Sequence, residues 1–88
     1  MRPPMDVVEM KGLIATRQIE LPAKPQRVLE YAFANPFEAA FRSSRQLAKS
    51  CGVSVSTIRR VAVAFGFEDL SQFRHAFRTE VRRTAVRL

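Results

Sequence analysis

Three residues, Ser43, Gly52 and Ser54, constrain this chain more tightly than any other feature of it. Ser43 is a good helix N-cap. Gln46, three residues on, completes a capping box, in which the two residues satisfy each other's backbone N–H groups. Leu47, Ala48 and Cys51 then recur at helical spacing on one face. Gly52 breaks that pattern and supplies the positive φ that a sharp turn needs. Val53 follows as an apolar plug, and Ser54 caps a second helix. Ile58, Val61, Ala62 and Phe65 form the buried stripe of that helix, and Gly66 ends it. The small Ala48 lets the second helix cross closely. Residues 43–66 therefore have the spacing of a helix-turn-helix.

The remaining segments are helical in pattern too. Residues 6–17 form a weakly amphipathic helix without evident caps, with Val7, Met10 and Ile14 on one stripe and Val8 and Leu13 beside it. Residues 1–4 read as a frayed tail. Residues 20–25, with two prolines, read as a connector, and a helix follows over 26–34 that buries Val28, Leu29, Ala32 and Phe33. Asn35-Pro36 stops it and opens a short helix through Phe41, where Phe37 and Phe41 would pin the turn to the core. Asp69 caps a last helix whose stripe is Leu70, Phe73, Ala76, Phe77 and Val81. No strand pattern is present. The expected fold is all-α, a small bundle of about five helices containing the helix-turn-helix. The expected division is an N-terminal arm or helix over 1–20, a binding domain over 21–83, and the start of a linker over 84–88.

With 88 residues, 47% of them apolar, the chain makes one small domain that can bury a core. A single cysteine excludes an internal disulfide and fits a reducing, cytoplasmic setting. No apolar run approaches the ~20 residues of a membrane span, and no signal peptide is visible. Charge is distributed unevenly. Residues 1–41 carry five Lys/Arg and five Asp/Glu; residues 42–88 carry ten and three, so the whole net charge of +7 lies there. Such asymmetry is the footprint of a surface that meets a polyanion. On the last helix Arg74, Arg78 and Arg82 stand four apart. Like charges at that spacing repel by about 0.2–0.5 kcal/mol per pair, so the stripe is either a solvated basic face that tolerates this small cost or one that meets a compensating anion, a phosphate backbone or acids of another domain.

At 100° per residue, Ser56 and Arg60 point away from the buried centre of the second helix, with Thr57 and Arg59 flanking them. These four, with Val55 against a thymine methyl, are the candidate base contacts in a major groove. Ser44, Arg45 and the amides that open the preceding helix suit a backbone phosphate, as do Ser54 and, more weakly, Arg42 and Lys49. Catalytic chemistry has little to work with. His75 lies among arginines with no ligand-spaced partner, and Cys51 sits in an apolar stripe without a base. Three glycines form no phosphate loop, and no cofactor or metal site is expected.

From Leu21 to about Val81 the chain resembles the N-terminal DNA-binding domain of the RpiR-type bacterial transcription regulators. The matching residues are Arg27 to Tyr31, Asn35-Pro36 with Glu38, Ser43 with Arg45 to Ala48, Gly52 to Ser54, Thr57 with Arg60, and Gly66-Phe67 followed by Ser71, Gln72 and Phe73. The resemblance implies a regulator of transcription that reads duplex DNA with residues 54–65 in the major groove. It also implies a following sugar-isomerase-like (SIS) domain that binds sugar phosphates, so the chain is expected to be either a fragment of a longer one, the favoured reading, or a stand-alone version. A homodimer on two half-sites is expected, because one small module offers limited contact area. The chain departs from the pattern in two places. Pro22 and Pro25 replace the usual capping residue and Glu, so the first core helix is expected to start a turn late. Val63 and Ala64 stand where the family has basic residues. Two alternatives stay open: a helical protein-interaction module using Val63, Ala64 and the N-terminal helix, and non-specific binding to RNA or a membrane surface through the arginine stripe.

Overall fold

The computed structural model describes residues 2–86. Six helices follow in order: α1 (Val7–Ala15), α2 (Ala23–Ala34), α3 (Pro36–Phe41), α4 (Ser44–Cys51), α5 (Val55–Ala64) and α6 (Leu70–Val86). No strand occurs among the described residues. The all-helical expectation holds, with the N-terminal segment adding a full helix. Of the expected linker, residues 84–86 are the last turn of α6, and residues 87 and 88 lie outside the described residues, as does Met1 of the expected tail.

One core serves all six helices. Phe65, Phe73 and Phe77 are fully buried with Met10, Leu29, Leu47 and Ile58. Phe73 and Phe77 stack at 5.0 Å between ring centroids, and Phe33 extends the aromatic cluster at 6.0 Å from Phe77. α1 is better anchored than its sequence showed. Asp6 caps it, accepting the Glu9 N–H at 2.9 Å, and Val7 and Met10 insert into the core. The N-terminal tail is held as well: Pro4 is buried, and Arg2 pairs with Glu9 at 3.3 Å. α2 starts at Ala23, a turn earlier than residue 26. Pro25 then falls at the third helical position, where the N–H it lacks would have had no intrahelical acceptor. Asn35 holds the N-cap position of α3, its carbonyl accepting the Ala39 N–H at 3.2 Å, but its side chain makes no capping bond there. Its Nδ2 turns back to donate to the Tyr31 carbonyl at 3.0 Å, closing α2.

α3 overturns a packing expectation. Phe37 and Phe41 do not reach the core; they are 65% and 53% exposed and pack on each other in a tilted pair, 4.8 Å between ring centroids. The buried face is Ala39 and Ala40, both 0% exposed. Two alanines let α6 approach the short helix closely, and α6 packs more extensively against α3 than against any other element. The arginine stripe explains the rest. Arg78 Nε donates to the Ala40 carbonyl at 3.2 Å, and Arg74 donates to the Arg42 carbonyl. Arg78 also lies over the Phe41 ring, 5.7 Å from its centroid. The compensating charge is therefore the negative C-terminal end of α3, whose last carbonyls have no intrahelical partners. Burial, and secondarily Arg78, pull the Arg74 guanidinium below its ordinary pKa. Of the three, Arg82 alone has neither an ion pair nor a side-chain hydrogen bond among the described residues.

Removing both guanidinium groups in Arg74→Ala/Arg78→Ala should lower the unfolding free energy by about 2–4 kcal/mol, at about 1–2 kcal/mol per charged hydrogen bond at a half-exposed site. Arg82→Ala should leave it within about 0.5 kcal/mol. Urea titrations followed by circular dichroism measure both, and equal effects would contradict the carbonyl-clamp role.

Candidate nucleic-acid interface

The site begins where α3 delivers the chain to Ser43. Ser43 Oγ accepts the Gln46 N–H at 3.1 Å, and Gln46 Oε1 accepts the Ser43 N–H at 3.2 Å, so the capping box is complete. Leu47, Ala48 and Cys51 are buried, as their spacing requires. Burial, and next the Glu38 carboxylate, push the Cys51 thiol above its ordinary pKa, which keeps it protonated and unreactive near neutral pH. Gly52 takes the left-handed conformation at φ 70°, and the Val53 N–H closes the turn on the Ala48 carbonyl at 3.0 Å. Ser54 then caps α5, its Oγ accepting the Thr57 N–H at 3.3 Å.

Caps and turn together fix the azimuth of α5. Ile58, Val61, Ala62 and Phe65 face the core; Ser56, Arg59, Arg60 and Val63 face solvent. Among the described residues neither Arg59 nor Arg60 has an ion pair. Thr57 corrects the sequence reading. It is 6% exposed, and its hydroxyl lies 3.1 Å from that of Ser54. The hydroxyl is short enough to bond back to the cap, so the side chain completes the turn and does not present itself to a ligand. Val55 is half-buried against the core with only an edge outside.

The expected phosphate contacts are unequal in the same way. Arg45, Lys49 and Ser54 are exposed and Ser44 is half-buried, all next to the open face of α5. Arg42 is already engaged. Its guanidinium lies 3.7 Å from Glu38, and its carbonyl receives Arg74. Glu38 also accepts the Tyr31 hydroxyl at 2.7 Å, and that hydrogen bond to a carboxylate holds Tyr31 above its ordinary pKa. Arg42 thus belongs to a small polar cluster that fixes the entry into α4.

Two cations that sequence reasoning left out come from α2, one beside α5 and one beside the turn that precedes it. Lys24, at the start of α2, shares a groove with Thr57, Arg60 and Ala64. An Arg27 guanidinium nitrogen stands 3.9 Å from where a Cβ on Gly52 would sit. The opposite flank of α5, at Arg59 and Val63, meets Glu68 and Asp69 of the turn into α6. Only the three-residue spacing of Lys24 and Arg27 hints at a shared face; nothing local links them to α5. A family model for the helix-turn-helix domain of the rpiR family matches residues 8–84, taking in most of α1 and nearly all of α6. No curated protein and no solved structure matches the chain.

Thr57→Val should cost about 1 kcal/mol of stability through the lost hydroxyl hydrogen bond. It should leave the order of preference among duplex DNA sequences unchanged. A changed order in competition binding would return Thr57 to the reading face.

Proposed function

The chain belongs to the rpiR-family helix-turn-helix domains, a family of DNA-binding regulators, and from that premise we propose that it reads duplex DNA sequence-specifically with the first two turns of α5. One observation carries this reading: Ser56, Arg59 and Arg60 stand on the open face of α5 with no ion pair among the described residues, beside Arg45, Lys49 and Ser54. An α-helix about 10–12 Å across fits a major groove about 12 Å wide. With α5 in that groove, Arg60 or Arg59 donates two hydrogen bonds to a guanine edge, and Ser56 reaches a base or a phosphate. The exposed edge of Val55 suits a thymine methyl. Ser44, Arg45 and the first amides of α4 take a backbone phosphate, which fixes register but carries no sequence information. Val63, Glu68 and Asp69 leave the C-terminal end of α5 poorly suited to a polyanion.

Two half-sites read by a homodimer would supply the area that one module lacks. By family resemblance, a response to sugar phosphates would reside in a separate sugar-isomerase-like domain, outside this chain. No helix among the described residues is long and apolar enough to cross a membrane. Binding through the arginine stripe alone has less support, since Arg74 and Arg78 are committed to α3 carbonyls.

Arg60→Ala should lose about 1–3 kcal/mol of discrimination at one base pair. Arg45→Ala should weaken all sequences alike and lower the magnitude of the log K against log salt slope by about 0.9. Fluorescence anisotropy on selected and random duplexes at several salt concentrations measures both. Equal loss on every sequence with Arg60→Ala would remove it from base reading.

A further inference from the structure

The two flanks of α5 carry opposite charge. At 100° per residue around the helix, Arg60 and Ala64 lie on one edge of the open face, above the buried Thr57, and Arg59 and Val63 on the other. The first edge borders α2, where Lys24 and Glu20 line the shared groove and Arg27 covers the turn at Gly52. The second borders the α5–α6 turn with Glu68 and Asp69. Lys24 and Arg27 are exposed, three residues apart on one helix, and among the described residues neither is in an ion pair. In the groove on the α2 side two cations, Lys24 and Arg60, stand with one acid, Glu20. One cation faces two acids on the α6 side.

We propose that Lys24 and Arg27 form a phosphate-contacting rail beside the recognition helix, so that one strand bordering the major groove runs along α2 and the DNA tilts away from the α5–α6 turn. The inference rests on the reading of α5 given above and extends it to an element outside the helix-turn-helix. Packed helices lie about 8–10 Å apart axis to axis. A helix beside one that fills a groove about 12 Å wide therefore falls over the strand at the groove's edge. α2 packs directly on α5, with Lys24 in the groove beside Arg60 and Arg27 at the turn that starts α5. A phosphate strand is drawn to this flank and repelled from Glu68 and Asp69, which line the groove at Arg59 and act over about one Debye length, about 8 Å at physiological salt. The asymmetry fixes which flank of α5 carries the backbone load.

The test is the double variant Lys24→Ala/Arg27→Ala, compared with Arg82→Ala/Arg83→Ala, which removes the same charge from the last turns of α6. Duplexes selected from a random pool by the wild-type chain serve as probes. The α2 variant should retain its helical circular dichroism and its order of sequence preference. Its log K against log salt slope should fall in magnitude by about 1.8, two phosphate contacts, which shrinks the affinity loss between 50 and 200 mM salt by about tenfold. Phosphate-ethylation interference should disappear at positions on one strand only. The rail is refuted if wild-type binding is salt-dependent and specific while the α2 variant shows the slope and interference pattern of the α6 control. If the wild-type chain shows no salt-dependent duplex binding, the reading of α5 fails and the rail with it.

Discussion

The clamp of α6 arginines on the C-terminal end of α3 is the contact on which the rest of the arrangement depends. A six-residue helix is too short to be stable by itself, since nucleation fixes several dihedrals for each early hydrogen bond. Here its terminal carbonyls, which would otherwise face only water, are met by two guanidinium groups. Ala39 and Ala40 make the approach close enough for those bonds. The next residue after the clamped Arg42 carbonyl is Ser43, which caps α4. The longest helix of the bundle therefore sets the start of the helix-turn-helix through main-chain atoms of α3.

From that point the geometry propagates by short-range steps. The capping box starts α4, the left-handed Gly52 turns the chain, and Ser54 starts α5. Each step is a hydrogen bond or a backbone conformation within a few residues, so errors do not accumulate before Arg59 and Arg60. Thr57 is drawn inward by the same logic: a hydroxyl one turn into a helix bonds the cap more readily than it remains idle at the surface. The outcome is a narrow outward face with two arginines that have no ion pair among the described residues, bounded by basic α2 on one side and an acidic turn on the other. Most of the chain's positive excess is on or near the helix-turn-helix, but a part of it, at Arg74 and Arg78, is spent internally. Net charge counted along a sequence therefore overstates what is available to a polyanion.

The helices, their order, the two glycine turns, and the caps at Ser43, Ser54 and Asp69 were legible in the sequence, because each depends on residues three or four apart. The Ser56, Arg59 and Arg60 face was legible for the same reason, once the stripe through Ile58 and Phe65 gave the helix its inside. Local pattern failed where two faces of similar character competed. α3 has Phe37 and Phe41 on one side and Ala39 and Ala40 on the other; hydrophobicity favours burying the rings, but close approach by α6 selects the alanines. Asn35 had two helix ends within reach and took the carbonyl rather than the amides.

What the sequence by itself determined is the set of local decisions: where helices begin and end, which residues lie inward on α4 and α5, and that a basic surface follows residue 41. What only the tertiary structure decided is which charges remain available and which neighbours flank the recognition helix. Arg74 and Arg78 found acceptors 32 and 38 residues away, and from another helix Lys24 came beside α5 and Arg27 beside the turn before it. Those pairings arise from packing all the helices around one core, and no spacing along a single helix encodes them.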